Sequence, residues 1–179
     1  LPGVDMKITN PDNGETLVDG EIGQIEVRGP NVFVGYWNMP EKTREELRED
    51  GFFITGDLGR IDEHGYLQIV GRNKDLIISG GYNIYPKEIE LVLDEQPGVL
   101  ESAVIGAPHP DFGESVIGIL VADGGQPVDL DAIEADLGKT LARFKQPRKL
   151  IVVDSLPRNT MGKVQKNILR DEFGSTFQG

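Results

Sequence analysis

Over the first 73 positions, apolar and polar residues alternate in short runs, each closed by Gly, Asp or Asn. Period-two alternation punctuated by turn formers predicts strands. Strands are expected over 6–9 and 24–28, with turns at Asp12-Asn13-Gly14 and Asp19-Gly20. Pro40 stands where a proline opens a helix, so 40–47 reads as a short one. Gly51, Gly56, Gly59 and Gly65 then separate strands at 52–55, 58–61 and 66–70. After Lys74 the pattern changes. A short apolar strand at 76–78 precedes a helix that Pro86 opens and that runs to about residue 95, with Ile89, Val92 and Leu93 on one face. Residues 100–105 and 115–122 read as strands. Asp129 can N-cap a helix whose Leu130, Ile133, Leu137 and Leu141 form an apolar stripe. A buried strand at 150–153 and a helix at 164–173 complete the pattern. The expectation is an α+β chain: a β-rich module over 1–73, a small α+β domain over 74–173, and a frayed tail over 174–179.

At 179 residues the chain has room for one good core or two small ones. Hydrophobic content of 38% reads as globular, and no apolar run approaches the ~20 residues of a bilayer span. The opening Leu1-Pro2-Gly3-Val4 has neither an initiator Met nor the features of a signal peptide, so it reads as a cut into a longer, cytoplasmic protein. Zero cysteines exclude disulfides, thiolate metal sites and cysteine nucleophiles. A net charge of −12 argues against nucleic-acid binding. The charge is uneven, however. Nine Lys and Arg residues (139, 143, 145, 148, 149, 158, 163, 166 and 170) face one acid, Asp154, over 139–170. Such a segment suits a small phosphate-bearing ligand, with a solvated basic face as the plainer alternative for most of the nine.

The residues that carry chemistry fall in four clusters. Lys163 ends Pro157-Arg158-Asn159-Thr160-Met161-Gly162-Lys163, where a glycine lets backbone approach a ligand and the ammonium can reach it. Asp57, in Thr55-Gly56-Asp57, offers two acceptor oxygens that match the two hydroxyls of a ribose. By spacing alone, a turn aspartate capping its own backbone is the simpler reading. Arg72, in Gly71-Arg72-Asn73-Lys74-Asp75, has a planar fork for sugar or phosphate oxygens, or for a surface ion pair. Ser79-Gly80-Gly81 can bring bare backbone against a thin ligand, or can simply turn the chain before the Tyr85-Pro86 helix start. Lys166 reads as water-exposed. His64 and His109 lack metal-ligand spacing and read as loop residues, and no metal site is evident.

In this order and spacing the four clusters closely resemble the adenylate-forming enzymes: acyl-CoA synthetases, peptide-synthetase adenylation domains and luciferases. The resemblance runs from about Gly20 to Phe173. It implies the β-rich end of that family's large N-terminal domain followed by its small C-terminal domain. The stretch from Leu156 to Asn167 is similar to the malonyl-CoA synthetase branch. The resemblance implies an ATP-dependent acid–thiol ligase, with CoA as co-substrate, Mg²⁺ held mainly by segments absent from this sequence, and malonate as the acid. It makes Asp57 and Arg72 the ribose ligands, Lys74 the hinge, Gly80 and Gly81 the lining of the pantetheine tunnel, and Lys163 the catalytic lysine of adenylation. It also makes Lys163 the target of a protein lysine acetyltransferase, reversed by a sirtuin-type deacetylase. Some relatives carry a lysine where Ile78 stands. The family's Ser/Thr/Gly-rich phosphate loop and acyl pocket are missing here, so the chain alone is expected to be inactive. The alternative is a non-catalytic module that serves as the acetyltransferase's protein substrate.

Overall fold

A computed structural model describes residues 3–178. The fold is α+β, and the chain divides into two compact units, Leu1–Lys74 and Asp75–Gly179.

The first unit is an antiparallel sheet of four strands in chain order: β1 (Asp5–Thr9), β2 (Gly23–Arg28), β3 (Phe53–Ile61) and β4 (Leu67–Arg72). Its helix α1 (Pro40–Glu46) begins on the proline. The runs 52–55 and 58–61, which predict separate strands, belong to one bulged strand. Gln24 pairs with Leu58 and Glu26 with Ile54, so Thr55, Gly56 and Asp57 all stand opposite Ile25. Gly56 takes a φ of +76°, which a side chain would resist. The Thr55 hydroxyl donates to the Ile25 carbonyl at 2.9 Å and accepts from the Asp57 N–H at 3.1 Å. The glycine that looks like a strand break is thus what lets a single strand bulge.

A buried charge network also holds this sheet. Glu26 is fully buried, and Arg48 donates to it through Nε and Nη2 at 2.7–2.8 Å. The Thr9 hydroxyl donates at 2.8 Å, and the Lys7 ammonium lies 3.4 Å away. Burial pushes the carboxyl's pKa up, but the hydrogen bonds from Arg48 and Thr9 and the charges of Arg48 and Lys7 outweigh it, leaving Glu26 below its ordinary value. A depressed folded-state pKa contributes stability that is complete above the unfolded value of about 4.3 and is lost as pH falls through the folded one. The first unit should therefore weaken on acidification below about pH 4. Amide exchange in β1, β2 and β3 measured against pH reports this unit. Glu26→Gln should flatten that slope, and an unchanged slope would refute the assignment.

The second unit is built on a sheet ordered β6-β5-β8-β7. These strands are β5 (Ile77–Ser79), β6 (Tyr82–Ile84), β7 (Val99–His109) and β8 (Gly113–Ala122), and β9 (Lys149–Val153) adds parallel to β8. β8 is buried on both faces from Ser115 to Val121, so it reads as a continuous apolar run. Helices α2 (Pro86–Asp94) and α3 (Leu130–Thr140) cover one face, with Ile89, Leu93, Ile133 and Leu137 against Val104, Val116 and Leu120. Asp129 caps α3, accepting from the Ala132 N–H at 3.0 Å. Helix α4 (Lys166–Phe173) and Leu156 cover the other face, with Leu169 against Ile105, Ile117 and Ile119. Each such side chain, fully buried, contributes about 1.5–3 kcal/mol.

Two other segments depart from the sequence pattern. His109 is not in a loop: it ends β7, its ring centroid 4.9 Å from Phe112 and 5.3 Å from Phe177. Pro108 suggests a loop, but a proline is tolerated on an edge strand such as β7. Residues 174–178 of the tail expected to fray form turns instead, and Gly179 lies outside the described residues. The Gly174 N–H donates to Arg170 O at 2.8 Å and the Thr176 N–H to Phe173 O at 3.1 Å, while Phe177 packs on the α4 side of the core.

Candidate functional site

In the first unit, Asp57 sits in the β3 bulge rather than at a strand end, directly across from Arg72 on β4. Arg72 Nε donates to Asp57 Oδ1 at 2.9 Å. The carboxylate is partly buried and the guanidinium half exposed, so the pair is preformed and still open to a ligand. Arg72, Asn73 and Lys74 also border an open depression of about 480 Å³, whose other walls include Tyr36, Lys42 and Thr55. Lys74 is exposed, in a single 3₁₀ turn over Asn73–Asp75 at the last residue of the unit.

In the second unit, Ser79 pairs with Tyr82, and Gly80 and Gly81 are the two residues between them. Their φ values of +57° and +83° make this a two-residue hairpin turn with both central residues left-handed, a conformation that calls for glycine. Turn geometry alone therefore explains both glycines. The Gly80 N–H also donates to Phe112 O at 2.9 Å. The strand after this turn, β6, has no counterpart in the sequence pattern, because three residues are too few to show alternation.

Beside that turn lies a cavity of about 340 Å³. Tyr82 and Phe144 stack in its wall with centroids 4.6 Å apart, and the Arg148 guanidinium covers the Phe112 ring at 4.3 Å. Arg143 adds a second cation, and the buried Ser115 hydroxyl has no protein partner. Stacking faces next to guanidinium groups suit a flat base attached to phosphates. Sequence reasoning misses this cavity, because its aromatics come from residues 82, 112 and 144 and only Phe144 falls inside the basic segment.

The basic segment itself divides. Lys145 pairs with Glu88 at 2.7 Å, Arg158 with Glu101, Lys166 with Glu90 at 2.6 Å, and Arg170 with Asp75 at 2.8 Å. Lys166 is therefore not a water-exposed lysine: its side chain is mostly buried and joins α4 to α2. Lys139, Arg143, Arg148, Lys149 and Lys163 form no ion pair among the described residues. Lys163 is exposed at the end of a hairpin loop in which Arg158 bridges Val164, and Gly162 at φ +78° makes the turn. A lysine exposed in this way, with no ion pair among the described residues, can extend its ammonium to reach an anion.

Among the described residues no three of His, Asp and Glu gather as a metal site, and no helix is long and apolar enough to cross a membrane.

The first unit thus carries an open Asp–Arg pair, and the second a basic aromatic cavity and an exposed loop lysine. Residues 88–163 match the AMP-binding enzyme C-terminal domain, and the second unit belongs to that family. The chain is similar to ATP-bound MatB from Rhodopseudomonas palustris, with a TM-score of 0.94 and 59% identity, covering 99% of this chain and 35% of that one. It is 42% identical over 181 residues to the malonate–CoA ligase of Arabidopsis thaliana, covering 95% of the chain and 29% of the relative. It is 44% identical over 165 residues to the long-chain-fatty-acid–CoA ligase FadD13 of Mycobacterium tuberculosis, covering 92% and 32%. The relatives are acid–CoA ligases, and the chain spans about a third of their length.

Proposed function

We propose that this chain supplies the C-terminal part of an AMP-forming acid–CoA ligase that activates malonate. The observation that carries the reading is the exposed Lys163, without an ion pair among the described residues, in the same unit as a basic aromatic cavity beside the Gly80 turn. The plant malonate–CoA ligase among the relatives supports malonate as the acid.

In the first half-reaction a carboxylate oxygen of the acid attacks the α-phosphorus of ATP, and pyrophosphate leaves. Two anions meet, and negative charge builds on the phosphoryl oxygens. Lys163 contacts both partners and neutralises that charge where it develops. Asp57 accepts from the ribose hydroxyls, and Arg72 orients Asp57 and the sugar. Residues of the complete ligase outside this chain would mainly hold Mg²⁺, which would supply screening of the phosphate charge. Lys74 is the hinge whose torsions change between half-reactions. In the second half-reaction the CoA sulfur attacks the acyl carbon and AMP leaves. Gly80 and Gly81 line the path of the pantetheine, and the cavity takes the CoA nucleotide, with its base on Phe144 and its phosphates on Arg143 and Arg148.

Phe144→Ala in the complete ligase should raise the KM for CoA about tenfold, the cost of one lost base stack, and leave ATP–pyrophosphate exchange unchanged. An unchanged KM would remove the cavity from the CoA site. The chain alone lacks the phosphate loop and is not expected to make acyl-CoA.

Acetylation of Lys163 would remove the charge that adenylation needs, and a sirtuin-type deacetylase would restore it. The exposed loop, beside a Lys166 already held by Glu90, favours this reading and also that of the chain as an acetyltransferase substrate. Mass spectrometry after acetyltransferase treatment, with label on other lysines but not on Lys163, would count against both.

A further inference from the structure

The Lys163 side chain is exposed, so no packing holds its four-carbon stem. What aims it is the backbone from which it projects, and that backbone is fastened at both of its polar groups to one residue. The Asn159 side-chain oxygen accepts from the Lys163 N–H at 3.0 Å and from the Met161 N–H at 3.0 Å. The Asn159 N–H donates to Lys163 O at 3.0 Å, and Asn159 O accepts from the Gly162 N–H at 2.9 Å. Four hydrogen bonds thus converge on Asn159, and two of them fix the peptide groups on either side of the Lys163 Cα. Arg158 then ties the loop to the sheet: Nη1 donates to Gly162 O at 2.6 Å, and Nη2 to the carboxylate of Glu101 on β7.

We propose that Asn159 is a positioning residue for adenylation, holding the Lys163 backbone in its working geometry, with Arg158 and Glu101 as its anchor to β7. This rests on the assignment of Lys163 to adenylation. A surface loop that needed only to be soluble would not require a side-chain acceptor shared between the second and fourth residues beyond it. Alanine there leaves two exposed backbone donors to water and frees the loop without touching the core. An aspartate keeps an oxygen in the same place and accepts the same two bonds.

The test compares Asn159→Ala, Asn159→Asp and Lys163→Ala. In the present chain, Asn159→Ala should speed amide exchange at Met161 and Lys163 about tenfold, a factor in keeping with the loss of a backbone hydrogen bond, while β8 amides stay protected. In the complete ligase the same change should lower the kcat of ATP–pyrophosphate exchange about tenfold. The KM for ATP and the rate of thioester formation from preformed acyl-adenylate should not move. Asn159→Asp should restore both amide protection and adenylation. Adenylation unchanged in Asn159→Ala, or an Asn159→Asp variant as slow as the alanine, would overturn the positioning role while leaving Lys163 in place. Intact adenylation in Lys163→Ala would instead overturn the assignment of the lysine, and the positioning role with it.

Discussion

Lys163→Ala is expected to slow adenylation by roughly 10²–10³, the effect of removing one preorganised group that stabilises transition-state charge. The expectation is sharp because the side chain does nothing else in the structure. It is exposed and makes no ion pair among the described residues, and the loop bonds at this position use its backbone N–H and C=O, which alanine retains. The variant should therefore fold as the parent does, with unchanged thermal stability. The measurement is ATP–pyrophosphate exchange with malonate in the complete ligase and in this chain alone. The complete protein should lose exchange on substitution, and the chain alone should be silent in either form. Thioester formation from preformed acyl-adenylate should survive in the complete variant, because the nucleophile in that step attacks the acyl carbon and phosphorus undergoes no substitution. Undiminished exchange in the variant would leave the loop as a modification or structural site.

Glu90→Ala is expected to destabilise the second unit by about 3–5 kcal/mol, the usual consequence of removing one partner of a buried ion pair. Glu90 lies on α2 with its side chain only 9% exposed. Its Oε1 accepts from the Val104 N–H of β7 at 3.0 Å and from Lys166 at 2.6 Å. Lys87 stands 4.0 Å from its other oxygen. Without the carboxylate, an edge-strand N–H loses its acceptor, and the Lys166 ammonium is left at the first residue of α4, where the helix dipole disfavours a positive charge. Trp37 fluorescence will not report this, because that residue belongs to the first unit. Amide exchange in α2 and β7 will, and a loss below about 1 kcal/mol would mean that water replaces the carboxylate at little cost.

The parts of the fold visible in the sequence are those where one element buries one face. The stripe of α3, its Asp129 cap and the apolar run of β8 all act through neighbours in sequence, which periodicity detects. The bulge at Thr55–Asp57 was hidden because a glycine that ends a strand and one that bulges it look alike until the register to β2 is known. The pairing of Lys166 with Glu90, 76 positions away, leaves no local trace, and neither does the convergence of Tyr82, Phe112 and Phe144. Lys163 and the Asp57–Arg72 pair stood out through resemblance. Their spacing alone would have left a surface lysine and a turn aspartate.

The parallel pairing of β9 with β8 bears on synthesis. Two pieces that are synthesised after β8, namely β9 and α4, complete the sheet and cover its second face. The loop carrying Lys163 lies between them. A nascent chain stopped within that loop would leave Ile105, Ile117 and Ile119 uncovered, an apolar surface of the kind that quality-control proteases and chaperones recognise. A truncated product that lacks Lys163 therefore also lacks α4, and it would not persist as a folded domain.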